Sequence, residues 1–256
     1  MKASVIIANF NNSKFIDQCI ASLKSQTYEN IEIIFFDDNS SDNSLDIIKQ
    51  YKNIKLIENK IQTKHGSLNQ VNAFQKCIEK STGDVIFLLD SDDYFSKYKV
   101  EKIIQSFEEN ENQVIIFDFP IIVNQDKRKF IKKKNNFLKT YWGYIHPTSC
   151  ISIKKVYIKK IFDTIIDNEF KDIWIDLRIL LFAKYFNNYK TLNENLTFYR
   201  QTEFNISSSF KKYSKKWWLR RNEAHNYLFK LMKKNNKKIS KNLDYYLTKF
   251  VTKLFL

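Results

Sequence analysis

Carboxylates gather at two places in this 256-residue sequence, each directly after a short apolar run. The first group is Asp37-Asp38-Asn39-Ser40 and the second is Asp90-Ser91-Asp92-Asp93. Adjacent carboxylates repel one another, and a divalent cation or a hydrogen-bonded ligand between them relieves the repulsion. The two groups therefore favour a site for Mg²⁺ or Mn²⁺, or for a ligand with hydrogen-bond donors. Aspartates that cap the turns after two strands are the simpler alternative.

Short apolar runs alternate with amphipathic segments through the first half of the chain, which predicts strands joined by crossover helices. The resulting α/β sheet should be largely parallel. Sheets of this kind bind ligands beyond the carboxyl ends of their strands, where both acidic groups fall. Gly83 is expected to end the helix before the fourth strand. Strands are expected at 5–8, 31–36, 54–57, 85–89 and 114–119, and helices at 13–25, 44–51, 68–80 and 99–110.

Glycine, cysteine and histidine usage excludes other kinds of site. The three glycines lie too far apart for a phosphate-binding loop or a dinucleotide-binding turn. Neither the three cysteines nor the three histidines have the spacing of a zinc site. Scattered thiols in an odd number indicate a reducing compartment without a disulfide framework. A metal in this protein would therefore be held mainly by carboxylates.

Four segments follow one another in the first 93 residues: 4–11 (SVIIANFN), 25–28 (SQTY), 37–42 (DDNSSD) and 83–93 (GDVIFLLDSDD). In order and spacing they resemble the successive motifs of family 2 glycosyltransferases. The resemblance extends over about residues 2–210. It implies the GT-A fold, an α/β Rossmann-like architecture whose mostly parallel central sheet is flanked by helices. It also implies a glycosyltransferase domain at 1–210, with a nucleotide-sugar half at about 1–120 and an acceptor half at about 121–210.

By this resemblance, the first half would bind a nucleotide sugar such as a UDP-linked hexose or N-acetylhexosamine. Asp38 would accept a hydrogen bond from the base, while Phe10 and the turn that begins at Ala8 would pack against its ring. The segment 66–75 occupies the place of the family's basic, Asn-containing loop near the base and diphosphate, and Lys64 and His65 before it would contact the diphosphate. An exposed loop without contact to the donor is the alternative at this position.

The second acidic group would complete the donor site. Asp90 would approach the ribose beside Ser91, and Asp92 would hold Mn²⁺ or Mg²⁺. A cation that bridges carboxylate and diphosphate stabilises the negative charge that develops on the leaving group.

A transfer that inverts the sugar needs a general base to take the proton of the acceptor hydroxyl. The segment 171–178 (KDIWIDLR) resembles the family's base-bearing helix start, which puts the base at Asp172 in a helix expected over 172–185. Lys171 replaces the acidic residue that usually precedes this base. Asp176 lies one helical turn further on and is the alternative base. A helix-start aspartate favoured by the helix dipole is the simpler interpretation of Asp172.

The acceptor side is expected after residue 140. His146 belongs to a segment that resembles the family's acceptor side, and a strand follows at 149–153. Arg200 ends a strand that resembles the one before a mobile loop, and that loop would contain Asn205, Ser207 and Ser208. Trp142 and Tyr144 would either stack on a sugar or belong to the core.

The formal net charge of +15 comes mainly from residues 211–256, which contain 14 Lys and Arg but two acidic residues. This basic tail therefore carries +12, and the first 210 residues carry +3. Its apolar residues recur at helical spacing, which favours basic amphipathic helices on an anionic membrane surface. The alternative is that these apolar stripes pack on the protein's own domain. The stripes are Trp217, Ala224, Leu228 and Leu231, then Leu243, Leu247, Phe250 and Leu254.

These observations together predict a metal-dependent, inverting glycosyltransferase that adds one sugar to a glycan or lipid-linked acceptor. The sequence has neither a signal peptide nor a membrane-spanning run of about 20 apolar residues, so a cytoplasmic protein at the inner face of the membrane is expected. A nucleic-acid-binding protein that uses the lysine-rich tail is one alternative. It leaves the aspartate groups unexplained, so no nucleic-acid partner is expected. A non-catalytic binder of nucleotide sugars is the other alternative.

Overall fold

The computed structural model describes residues 1–125, 127–132, 140–186, 188–201 and 211–255. Its strands and helices follow the predicted alternation through the first half of the chain. The strands are β1 (Ala3–Asn9), β2 (Ile31–Asp37), β3 (Lys55–Glu58), β4 (Val85–Asp90), β5 (Tyr94–Phe95), β6 (Ile115–Asn124), β7 (Lys127–Phe130), β8 (Ile151–Lys154) and β9 (Tyr189–Arg200). The helices are α1 (Ser13–Lys24), α2 (Ser44–Ile48), α3 (Gly66–Lys80), α4 (Lys99–Glu108), α5 (Lys155–Ile165), α6 (Ile175–Phe186), α7 (Lys215–Lys234) and α8 (Leu243–Lys253).

The described strands form one sheet in the order β3-β2-β1-β4-β8-β6-β9-β5, with β7 paired to β6. Strands β1 to β4 pair in parallel, and so do β6 and β9. Strand β8 is antiparallel to both β4 and β6, so β6 and β9 run in the same direction as β1 to β4. The remaining strands, β5 and β7, are antiparallel to their neighbours. The predicted α/β architecture with a mostly parallel sheet flanked by helices is thus confirmed.

Helices cover both faces of the sheet, because successive strand residues point to opposite sides. Ile6 and Leu88 belong to one buried cluster together with apolar residues of α3, α5, α6 and α7. Ile7 and Leu89 belong to the other cluster, which includes residues of α1 and α4. Each fully buried aliphatic side chain stabilises the fold by about 1.5–3 kcal/mol.

Gly83 has a different role from the predicted one. Helix α3 ends at Lys80, and Gly83 follows the cap residue Ser81 without a left-handed φ. A Cβ at position 83 would lie 2.5 Å from Ser4 Oγ and 2.8 Å from the carbonyl oxygen of Lys2. Glycine is needed here because β1 passes too close for a side chain, so the expectation that it ends the helix was wrong.

The basic tail forms two helices with different surroundings. Ala224, Leu228 and Leu231 of α7 are buried in the core cluster that includes α6. By contrast, Leu243 and Phe250 of α8 are 77% and 64% exposed. The structure therefore buries the first apolar stripe on the domain and leaves the second one at the surface. No helix within the described residues is both long and apolar enough to cross a membrane.

Candidate active site

The two acidic groups lie on either side of β1. In the parallel register, Ala8 pairs with Phe36 of β2 and with Asp90 of β4, and Asn9 pairs with Asp37. Strand ends that are level in a parallel sheet bring their following residues to one edge. Residues 37–40 and 90–93, which are more than 50 positions apart in the chain, therefore border the same edge.

Asp37 organises the turn after β2. It is 1% exposed, and its carboxylate accepts hydrogen bonds from Asn9 Nδ2 at 2.8 Å and from the backbone nitrogen of Ser40 at 2.9 Å. Asn39 takes the left-handed conformation, with a φ of 57°, which asparagine adopts more readily than most residues. The turn-capping interpretation of the first acidic group therefore describes Asp37.

Asp38 is held differently, by two side chains from the loop that follows β3. Asn59 Nδ2 donates to Asp38 Oδ1 at 2.6 Å, and Gln62 Nε2 donates to Asp38 Oδ2 at 3.0 Å. Lys76 Nζ donates in turn to Asn59 Oδ1 at 3.1 Å. Sequence reasoning missed Asn59 and Gln62. Asn59 did carry a signal, because it directly follows β3 and so ends a third strand at the same edge.

Two other residues that are predicted to contact the base and the diphosphate lie at the surface. Phe10 follows β1 and is 49% exposed. Lys64 is also exposed, in the loop between β3 and α3. Asn69 of α3 fixes this loop, because its Oδ1 accepts hydrogen bonds from both the backbone and the hydroxyl of Thr63.

Asp90 is the electrostatically strained member of the second acidic group. Its Oδ1 accepts a hydrogen bond from Gln70 Nε2 of α3 at 3.0 Å. Burial and the nearby charge of Asp92 raise the pKa of Asp90 to about 7. The charge of Asp176, a residue of α6, raises the pKa of Asp90 further. Ser91 is buried, and its Oγ accepts a hydrogen bond from Asn12 Nδ2 at 3.1 Å.

Asp93 points into the protein, whereas Asp92 is half-buried. The carboxylate of Asp93 accepts hydrogen bonds from Ser149 Oγ at 2.6 Å and from the backbone nitrogen of Arg200 at 2.9 Å. Arg200 donates from its guanidinium to the carbonyl oxygen of Asp92 and to Gln18 Oε1. We expected Arg200 on the acceptor side, but it is buried against the second acidic group and supports its backbone.

The residues present fit a divalent cation that arrives with a diphosphate. No group of three or more His, Cys, Asp or Glu side chains in the described ranges could hold a metal by itself. Asp90 and Asp92 are nevertheless close enough for one charge to raise the other's pKa. Beside them, Gln70 Oε1 is buried and has no hydrogen-bond partner among the described residues. Mg²⁺ commonly binds through one or two carboxylates together with substrate phosphates and waters.

Asp172 lies in a loop rather than at the start of a helix. The helix expected from residue 172 begins at Ile175, and carbonyl groups of the segment before it are bound by the buried guanidinium of Arg178. The acceptor oxygens are those of Ile165, Asp167, Phe170 and Ile173, at 2.7–3.1 Å. Asp172 itself is exposed on this loop.

Asp176 occupies the first turn of α6 and is half-buried. Burial raises the pKa of Asp176, while the positive charge of Arg220 on α7 opposes this effect. Its charge also acts on Asp90, so Asp176 is the candidate base that is electrostatically linked to the second acidic group. Asp172 and Asp176 therefore differ clearly in exposure and surroundings.

His146 is buried in an aromatic cluster. Its Nδ1 lies 2.8 Å from the carbonyl oxygen of Asp118, which can only accept, so Nδ1 carries the proton. The rings of Phe117, Phe119 and Tyr144 surround it at centroid distances of 4.9–5.1 Å. Burial lowers the pKa of His146, which favours a neutral imidazole. Asn205, Ser207 and Ser208 lie outside the described residues.

A buried ion pair supports the second acidic group from within the core. Lys99 Nζ lies 2.7 Å from Asp118 Oδ1, and both side chains are fully buried. Lys99 also donates to the carbonyl oxygen of Ser149 at 2.6 Å. Because the hydroxyl of Ser149 binds Asp93, the ion pair is connected to the second acidic group through one residue. No pattern in the sequence indicated this pair.

One groove of the protein lies away from these residues. It has a volume of about 680 Å³ and is lined by Tyr28, Ile31 and Tyr51 among others, near the opposite end of β2. None of the candidate site residues lines it. The carboxylates, and not the size of the groove, identify the site.

The chain is similar to known glycosyltransferases. The family model "Glycosyl transferase family 2" matches residues 4–166. An uncharacterized glycosyltransferase of Nostoc sp. is 31% identical over 78% of this chain and 65% of its own length. A poly(ribitol-phosphate) beta-glucosyltransferase of Bacillus spizizenii is 31% identical over 53% of this chain and 22% of its own. The matched part thus spans less than two thirds of these relatives.

Among solved structures, S. aureus TarS 1–349 in complex with UDP has a TM-score of 0.67 at 16% identity, and the match covers 100% of this chain and 70% of that one. The same protein in complex with UDP-GlcNAc has a TM-score of 0.64 at 15% identity, covering 100% and 71% of the two chains. A mannosyltransferase of Pyrobaculum calidifontis, in complex with GDP-Man and Mn²⁺, has a TM-score of 0.58 at 10% identity, covering 100% and 70%. These likenesses concern the fold. Since the family model covers well over half of the sequence, including both acidic groups, this chain belongs to glycosyl transferase family 2.

Proposed function

We propose that the protein transfers one sugar from a UDP-linked donor, a hexose or an N-acetylhexosamine, to a hydroxyl of a glycan or lipid-linked acceptor. The observation that carries this proposal is the placement of Asp38 across β1 from Asp90 and Asp92. Asp38 is held by two side-chain amides at the same sheet edge. The structural relatives that contain UDP and UDP-GlcNAc support the choice of donor.

The base of the donor binds at Asp38. Each carboxylate oxygen accepts one hydrogen bond from Asn59 or Gln62 and has a further lone pair for an N–H of the base. Phe10 is exposed after the neighbouring strand and can pack against the ring. Lys64 is exposed two residues after Gln62, on the loop that follows β3, and its charge can contact the diphosphate from there.

Asp92 would hold a divalent cation, Mn²⁺ or Mg²⁺, and Asp90 beside it would approach the ribose. Bound there, the cation would stabilise negative charge on the leaving diphosphate. The charge of Asp92 raises the pKa of Asp90, and a cation next to both carboxylates would offset this repulsion. A related mannosyltransferase that was solved with Mn²⁺ supports a metal of this kind.

Asp172 takes the proton of the acceptor hydroxyl, and Asp176 is the alternative base. Asp172 is exposed on a loop whose backbone is fixed, so it can meet an acceptor without first being uncovered. Asp176 is half-buried beside Asp90. His146 contributes to the acceptor side as a neutral, ring-packed residue, since its Nδ1 proton is bound to Asp118.

Turnover of UDP-sugars tests the function. We would measure UDP release from UDP-glucose, UDP-galactose and UDP-GlcNAc, with Mn²⁺, Mg²⁺ or chelator, for the wild type and single Asp→Asn variants. The changes Asp92→Asn and Asp172→Asn should each lower kcat at least about 100-fold. Asp163→Asn, at an exposed position on α5, is the matched control. An unaffected Asp92→Asn enzyme would contradict the metal site, and a wild type that binds UDP but never releases it from a donor would favour a non-catalytic binder.

The exposed stripe of α8 binds an anionic lipid surface at the cytoplasmic face of the membrane. Leu247 and Leu254 of this stripe are 50% and 70% exposed, and the tail around them carries +12. An apolar stripe flanked by lysines has the charge and the amphipathicity that suit anionic headgroups.

Vesicle co-sedimentation tests this contact. The full chain should bind vesicles with phosphatidylglycerol and not pure phosphatidylcholine. The double change Leu247→Ser and Leu254→Ser should abolish binding while turnover of a soluble acceptor persists. If the wild type does not bind vesicles but dimerises through this stripe, the stripe is instead a protein interface. Retention on DNA or RNA that survives loss of the stripe would favour a nucleic-acid partner.

A further inference from the structure

One face of α7 lies on the loop that carries Asp172. Glu223 Oε1 accepts a hydrogen bond from the backbone nitrogen of Asp172 at 3.2 Å. Glu223 is half-buried, and burial raises its pKa. A carboxylate of the tail therefore binds the backbone amide of the candidate base.

The same face of α7 makes further contacts along this loop. Tyr227 donates its hydroxyl proton to the carbonyl oxygen of Ile165 at 2.7 Å, and Lys230 Nζ lies 2.7 Å from Asp167 Oδ2. Residues 223, 227 and 230 follow the spacing of four and three that puts side chains on one side of a helix. Each is directed at the loop between α5 and α6, which Arg178 binds from its inner side.

Arg220 extends this face by one more turn. Its positive charge acts on Asp176, the other candidate base. Helix α7 thus binds the backbone of one candidate base and acts electrostatically on the other, although it lies in the basic tail beyond the matched family region.

We propose that α7 is part of the catalytic unit and that Glu223 is a positioning residue for Asp172, an inference that rests on the proposed function. By binding the backbone amide of Asp172, Glu223 sets the direction in which the side chain of Asp172 leaves the loop. An error of about 1 Å in the position of a catalytic group can cost about 100-fold in rate. Backbone amides without a partner would also favour other loop conformations.

The test compares Glu223→Ala, Glu223→Gln and Tyr227→Phe in the full chain. Glu223→Ala should lower kcat about 10- to 100-fold with the KM for the UDP-sugar unchanged, because the donor site is not touched. Glu223→Gln keeps an acceptor oxygen and should restore most of kcat. Tyr227→Phe removes a hydrogen bond of the same helix face at the far end of the loop, so it controls for a general loss of stability.

Hydrogen–deuterium exchange provides a readout that does not need turnover. Glu223→Ala should speed exchange in peptides that cover 166–174 and leave peptides that cover 37–40 unchanged. The inference is overturned if Glu223→Ala keeps kcat within twofold of an active wild type. It is equally overturned if the variant has a higher KM, a lower kcat and faster exchange across the whole sheet. It is also overturned if Asp176→Asn is inactive while Asp172→Asn is not. A wild type without turnover would refute the proposed function, whereas unchanged exchange at 166–174 would refute the contact.

Discussion

Asn59 Nδ2 donates a hydrogen bond to Asp38 Oδ1 at 2.6 Å, and this contact joins the ends of β2 and β3. The backbone nitrogen of Asn59 also donates to the carbonyl oxygen of Asp37 at 2.8 Å. Asn59 is therefore bound to two consecutive residues of the first acidic group. In the proposed site, it keeps the carboxylate of Asp38 in place for the base of the donor.

Replacing Asn59 by alanine should weaken UDP binding by about 3- to 10-fold, because one hydrogen bond of about 1 kcal/mol no longer orients Asp38. Isothermal titration with UDP measures the change. Asn53→Ala, at an exposed position before β3, is the matched control and should bind UDP like the wild type. Equal affinities for the two variants would mean that Asp38 does not depend on Asn59.

Replacing Glu32 by glutamine should make stability less dependent on pH. Burial alone would raise the pKa of Glu32, but hydrogen bonds from Ser4, Thr82 and Gly83 lower it to about 2. The ionised carboxylate therefore stabilises the fold above the unfolded-state pKa of about 4.3, and this contribution is lost as the pH falls toward 2. Partial exposure limits the effect to about 1 kcal/mol.

Urea unfolding at pH 7 and pH 3 measures this difference. The wild type should be more stable than Glu32→Gln at pH 7, and the gap should narrow at pH 3. Glu79→Gln, an exposed change on α3, should show no comparable gap at either pH. A gap that stays constant between the two pH values would contradict the role of the ionised carboxylate.

Replacing Lys99 by methionine should lower the free energy of unfolding by about 3–5 kcal/mol, since it leaves the buried charge of Asp118 without its partner. Chemical denaturation measures the loss. Lys97→Met, two residues earlier and exposed, is the control. The double change Lys99→Met and Asp118→Leu should recover part of the loss, because no unpaired charge remains. A double variant less stable than the sum of both single changes would argue against the pair.

Replacing Gly83 by alanine should destabilise the fold by about 1–3 kcal/mol, because the new Cβ would overlap β1 at Ser4 and Lys2. Gly143→Ala is a useful comparison, since residue 143 has a φ of +74° but open space around a Cβ. The cost there is backbone strain alone, about 1 kcal/mol. Thermal unfolding of both variants separates the two causes. A Gly83→Ala protein as stable as the wild type would show that β1 yields without cost.

Tertiary structure decided the surroundings of each aspartate in the two acidic groups. The carboxylates of Asp37 and Asp93 accept hydrogen bonds inside the protein, whereas the neighbouring Asp38 and Asp92 have different surroundings. Neighbouring residues at a strand end point in different directions, and composition alone does not say which one turns inward. Asp172 likewise lies in a loop that a buried arginine binds, outside the helix expected there.

The sequence by itself determined the α/β order, the strand ends and the family, because these depend on local periodicity and on motifs that are contiguous in the chain. Only the tertiary structure decided the partners of the carboxylates. Asn59 reaches Asp38 across 21 positions, Arg200 reaches Asp93 across 107, and Glu223 reaches Asp172 across 51. Contacts over such separations depend on how the sheet and helices pack, so a single sequence without a fold does not reveal them.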